Sequence, residues 1–140
     1  MTRRNARELI MQMLYEYTFH NEEDADRLIG EKLSEIRANE DGSNKAVIKF
    51  IEEEYYGVLE HLDEIDELIN KSTQHWTVSR IAKVDLGILR LATYELKWRS
   101  DVPHKVVVNE ALEIAKAYST DKSPQFINGI LGNVIKLIEG

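Results

Sequence analysis

A chain of 140 residues fits one domain, long enough to bury a core without staples. It has no cysteine, which excludes disulfides and thiolate metal sites, and its net charge of −7 argues at first against nucleic acid. The charge is unevenly spread, however: residues 1–21 carry +1, residues 22–70 carry −11 and residues 71–140 carry +3. Fields decay over about 10 Å in salt, so the two ends tolerate phosphate while the middle repels it. The N-terminus leads into an amphipathic segment instead of an apolar leader, and no run of about 18 apolar residues occurs. A cytoplasmic protein with no membrane contact is expected.

Apolar residues recur at helical spacing through the chain. Ala6, Leu9, Ile10, Met13, Leu14 and Tyr17 mark the face of a first helix. Asn21 and the acids after it suit the start of a second, with Ala25, Leu28, Ile29, Leu33 and Ile36 inward. Residues 39–43 (Asn-Glu-Asp-Gly-Ser) read as a loop. A long helix is expected over 44–70, where Ile51, Tyr55, Val58, Leu62, Ile65 and Ile69 form a heptad-like seam with Gly57 inside it. The seam packs within its own domain or, alternatively, in a homodimer. A short helical piece at 78–82 precedes a helix capped by Asp85 and running to Trp98, apolar nearly all round and therefore central. Pro103 opens a helix with Val107, Val108, Ala111, Leu112, Ala115 and Tyr118 inward. After a loop at 119–122, Ser123 caps and Pro124 starts the last helix, which carries Ile127, Ile130, Leu131, Val134 and Ile138. The expectation is an all-α fold of about seven helices.

The residues offer no catalytic set, no metal set and no cofactor loop. His20, His61, His75 and His104 are scattered, without a pair at i, i+4 spacing. Glu52, Glu53 and Glu54 are consecutive and point round a helix instead of converging. A binding protein, not an enzyme, is expected. RNA has one physical candidate. Arg4, Arg7, Met11 and Tyr15 fall within about 80° on the first helix, and Arg3 extends the strip. Guanidiniums grip phosphates and a ring accepts a base. A solvated face explains the same residues. About three phosphate contacts give a salt slope near −2, weak binding unless a second protein shares the strand. On this strip, Arg7→Ala is expected to weaken RNA binding with little thermal effect.

Four ordered stretches resemble the NusB family of antitermination factors. They are Ala6-Arg7-Glu8-Leu9 through Gln12-Met13-Leu14-Tyr15; residues 84–96 (VDLGILRLATYEL); residues 101–111 (DVPHKVVVNEA); and residues 122–131 (KSPQFINGIL). Residues 22–75 match loosely. The resemblance implies a single NusB-like domain over 1–140, built of two helical subdomains (about 1–75 and 76–140). It implies binding of boxA RNA together with NusE, a small-subunit ribosomal protein, in an antitermination complex with RNA polymerase on ribosomal RNA operons. The family's arginine-rich start falls on Arg3, Arg4 and Arg7, and its first-helix aromatic on Tyr15. The Ser-x-x-Phe-x-Asn-Gly stretch falls on Ser123, Phe126, Asn128 and Gly129. Phe126 as core, Asn128 as a local hydrogen-bonding group and Gly129 as a packing position are the structural alternatives. A partner-facing acid falls on Asp85, which helix capping explains equally well. Two departures stand out: Asn5 interrupts the arginines, and Lys122 replaces an acid before Ser123, which strengthens phosphate attraction. A protein-only scaffold or homodimeric adaptor with incidental RNA contact is the alternative reading. An RNA-modifying enzyme is a third, disfavoured by the chain's length and its lack of cysteine.

Overall fold

Thr2 and Asn5 cap the first helix, α1 (Arg3–Tyr17), reciprocally: Asn5 N–H donates to the Thr2 hydroxyl at 3.0 Å, and Thr2 N–H donates to the Asn5 side chain at 3.3 Å. The computed structural model describes residues 1–20, 22–38, 45–74 and 77–140. Asn21, the expected loop at 39–43 and His75 lie outside the described residues. Six further α-helices follow: α2 (Ala25–Ala38), α3 (Lys45–Glu60), α4 (Leu62–Ser72), α5 (Lys83–Trp98), α6 (His104–Tyr118) and α7 (Ser123–Glu139). Short 3-10 turns at Glu22–Asp24 and Val78–Arg80 complete the described elements, among which there is no strand. The all-α expectation holds.

Three boundaries differ from expectation. The long helix over 44–70 is broken at His61 (φ −111°, ψ 18°) into α3 and α4. Hydrogen bonding bridges the bend: His61 N–H donates to the Gly57 and Val58 carbonyls at 3.2 Å each, and Ile65 N–H donates to the His61 carbonyl at 2.8 Å. The His61 ring lies flat on Trp98, centroids 4.2 Å apart and planes 13° apart, which gives the kink a tertiary partner. Second, α5 starts at Lys83, so Asp85 lies in its first turn and is not its cap. Third, α7 starts at Ser123, whose hydroxyl is turned to other work described below.

The central expectation for α5 is met. Every residue from Asp85 to Leu96 is buried, and α5 packs against α1, α3, α4, α6 and α7. Its apolar residues leave no solvent face to prefer, and its buried Asp85, Arg90 and Glu95 are each paired with a group on a neighbouring segment, so its neighbours enclose it. Gly87 lets α1 approach: a Cβ there would lie 3.2 Å from the Met11 carbonyl oxygen. Gly57 has the same role for Tyr94, whose ring occupies the space a Cβ would fill, at 2.3 Å. Its lower helix propensity is therefore offset by packing. Of the expected seam, Ile51, Tyr55, Val58, Ile65 and Ile69 are fully buried inside this chain and Leu62 is half-buried.

Candidate nucleic-acid interface

The arginine-led strip of α1 is not one exposed surface. Arg7 is 6% exposed, and its guanidinium is held by Glu95 on α5 through hydrogen bonds of 2.8–3.1 Å. Met11 is buried in the core. The expectation that Arg7 lies on a polar strip and is thermally dispensable is corrected. Residue 7 sits one turn from Arg3 and close enough to the core face that a long side chain reaches an inward acid. The strand-accessible cations of α1 are Arg3 and Arg4. The Arg3 guanidinium lies 4.2 Å from the Phe50 ring centroid of α3. Arg4 Nε donates to Glu110 of α6 at 2.7 Å, with Nη2 at 3.2 Å, and remains half-exposed. An exposed pair of this kind is worth little and yields readily to a phosphate.

The aromatic end of α1 is open. Tyr15 is 37% exposed and Phe19 62%, and their rings meet edge-on at 5.2 Å. Tyr15 lies about 16 Å along the helix from Arg4 at 1.5 Å per residue. Tyr118, placed inward by its helical spacing, is instead exposed, and its hydroxyl donates to Glu8 of α1 at 2.7 Å. Sequence reading missed Phe19 and Tyr118. Phe19 was within reach, since it stands at i+4 from Tyr15. The Tyr118 contact spans 110 positions and leaves no local signal.

The turn before α7 is tied to the start of α5. Asp85 is buried, and its carboxylate accepts from the Ser119 hydroxyl at 2.5 Å and the Ser123 hydroxyl at 3.0 Å. Two residues on, Gly87 faces Met11 and Tyr15 of α1. Asp85 thus clasps the turn to the first turn of α5. It is neither helix cap nor exposed acid in this state. Ser123 is buried in the clasp, while Lys122 beside it is exposed and has no ion pair among the described residues. Phe126 is half-buried against the core. Asn128 and Gly129 are exposed. Asn128 makes no hydrogen bond among the described residues, so the local-bonding alternative is not seen. A Cβ at Gly129 would meet nothing within 4 Å, so helix packing does not require that glycine.

The exposed candidates are Arg3, Arg4, Tyr15, Phe19, Tyr118 and Lys122, with Tyr118 held to α1 through Glu8. Among the described residues, no group of three or more His, Asp or Glu is placed to hold a metal, and no helix is long and apolar enough to cross a membrane.

A model of the NusB family matches residues 4–136. The transcription antitermination protein NusB of Clostridium novyi (strain NT) is 40% identical over 137 residues, covering 97% of this chain and 99% of the relative. The protein of the same name from Geobacter sulfurreducens is 44% identical over 133 residues, covering 94% and 92%. NusB of T. maritima has the same fold, with a TM-score of 0.86 at 34% identity over 97% of this chain and 92% of that one. A chain from the crystal structure of the antitermination factors NusB and NusE in complex with dsRNA gives a TM-score of 0.78 at 25% identity, over 96% of both. With both the sequence match and the fold extending over nearly the whole chain, the chain belongs to the NusB family.

Proposed function

We propose that this protein is an RNA-binding antitermination factor that holds boxA RNA jointly with NusE and supports processive transcription of ribosomal RNA operons. The observation that carries the reading is the whole-chain likeness to a structure of NusB with NusE and dsRNA. The local surface is compatible with it. Arg3, Arg4 and Lys122 supply charge for phosphates, and Tyr15 supplies a stacking face. Ser123 and Phe126 shape the turn from beneath, and Asn128 adds an exposed amide. Arg7 contributes through Glu95, by fixing α1 on α5, in the state described. Asp85 acts by setting the turn, and release of its two hydroxyl partners is the route by which it would face NusE.

Few free cations on a protein of net charge −7 give weak binding alone. The working form is therefore a complex in which NusE shares the strand, within an antitermination assembly with RNA polymerase. The test is fluorescence anisotropy with labelled boxA RNA, with and without NusE. Tight, salt-sensitive binding that requires NusE is the expected result. No affinity for boxA in the presence of NusE would overturn the reading.

A further inference from the structure

We infer that the groove between α6 and α7 is a base-accepting subsite for single-stranded RNA, distinct from the strip on α1; the inference rests on the RNA-binding reading above. The groove encloses about 390 Å³ and has an aliphatic lining of Val108, Leu112 and Ile135. Gly132 opens it, because a Cβ there would meet nothing within 4 Å. Asn109 and Asn128 flank it from the two helices, both exposed and neither hydrogen-bonded among the described residues.

The chemistry of the rim selects the occupant. Lys105 lines the groove, exposed and without an ion pair among the described residues. Lys136, next to Ile135 on α7, is likewise exposed and free of ion pairs among those residues. Of the acids near this rim, Glu113 is paired with Lys116 at 3.2 Å, while Glu139 lies 3.5 Å from His104, which offsets its charge only when protonated. By contrast, the aromatic groove beside Trp98 sets Glu53, Glu60 and Asp101 against the single cation Arg99, which leaves its wall net acidic. A flat nucleobase covers the aliphatic wall, its edge pairs with amides that both donate and accept, and lysines meet the flanking phosphates. A purely apolar occupant would bury two amides without partners, which is costly.

The test uses Gly132→Leu, which fills the groove at a helical position with room for the side chain. Gly30→Leu on α2 is its control, since a Cβ at Gly30 also meets nothing within 4 Å. Both variants are assayed with NusE against labelled boxA RNA and a series of single abasic replacements in that RNA. The expected result is about a 10-fold loss of affinity for Gly132→Leu and none for Gly30→Leu. One abasic position should also cost the unmodified protein about 10-fold and cost Gly132→Leu nothing further. Equal affinity of the two leucine variants would overturn the subsite while leaving the RNA-binding reading intact. Loss of NusE binding with boxA affinity unchanged would assign the groove to a protein partner and overturn it as well. An unmodified protein that binds no boxA RNA would overturn both.

Discussion

The Arg7 guanidinium and the Glu95 carboxylate, 88 residues apart in sequence, form a buried ion pair that joins α1 to α5. Neither side chain is more than 7% exposed. Removing one partner strands the other charge in the interior, at a cost of roughly 3–5 kcal/mol, whereas replacing both by apolar groups is often neutral. Arg7→Ala should therefore lower the urea midpoint strongly, and Arg7→Met with Glu95→Leu should restore most of it. An Arg7→Ala protein with an unchanged midpoint and weakened RNA binding would show that Arg7 works on the outside.

Next to that pair sits a carboxylate in a poorer setting. Glu54 is fully buried, accepts no hydrogen bond among the described residues, and has Arg99 Nη1 at 3.4 Å as its charge partner. Burial first, then the nearby Glu95 carboxylate, push its pKa up from 4.5 to about 8. The folded chain thus keeps a proton that the unfolded chain releases between about pH 4.5 and 8. Stability from this group is lost as the pH rises through that window. Glu54→Gln should stabilise the protein by at least about 1 kcal/mol at pH 9 and by much less at pH 5. Thermal melts across that range check it; a pH-independent difference would count against the assignment.

Two glycines should respond oppositely to the same change. Gly57→Ala gains helix propensity but drives a methyl into the Tyr94 ring, which is itself stacked on Trp98 with centroids 5.8 Å apart. Overpacking of this kind costs about 1–3 kcal/mol. Gly30→Ala meets open space and should gain up to about 1 kcal/mol. Urea denaturation of both variants gives the two signs directly.

On the RNA surface, two substitutions should separate charge from stacking. Lys122→Ala should reduce the slope of log affinity against log salt by about 0.7. Tyr15→Ala should cost about 1–3 kcal/mol of boxA affinity. Lys122 is exposed, so its variant should stay within about 0.5 kcal/mol of the parent, whereas Tyr15 keeps most of its side chain covered beside Phe19 and its variant should also lose stability. Salt titrations with NusE present, alongside thermal melts, measure both quantities.

What was legible in the sequence follows the range of the interactions concerned. Helical periodicity announced α1, α2, α5, α6 and α7 because each buries a stripe that repeats every turn. The break at His61 was hidden, since no proline or helix-ending glycine marks it and its anchor is Trp98, on another helix. The strip on α1 was read from helical angle alone, which ranks faces but cannot report that Glu95 waits opposite Arg7. Asp85 showed the same weakness: an acid near a helix start looks like a cap until Ser119 and Ser123 arrive from beyond position 118. Motif order along the chain carried the family where local chemistry carried only a charged patch.

The bend at residue 61 decides more than two helix boundaries. Before it, α3 lies on α1 and α5; after it, α4 lies on α5 and α7. A straight rod through both segments would be about 42 Å long and could follow only one of those directions. The half left pointing outward would carry Ile65 and Ile69, or Ile51 and Tyr55, into water and uncover the apolar edge it now shields. Sequence drift that straightens this joint would therefore reveal itself first as clumping of otherwise helical molecules, before any loss of helix content.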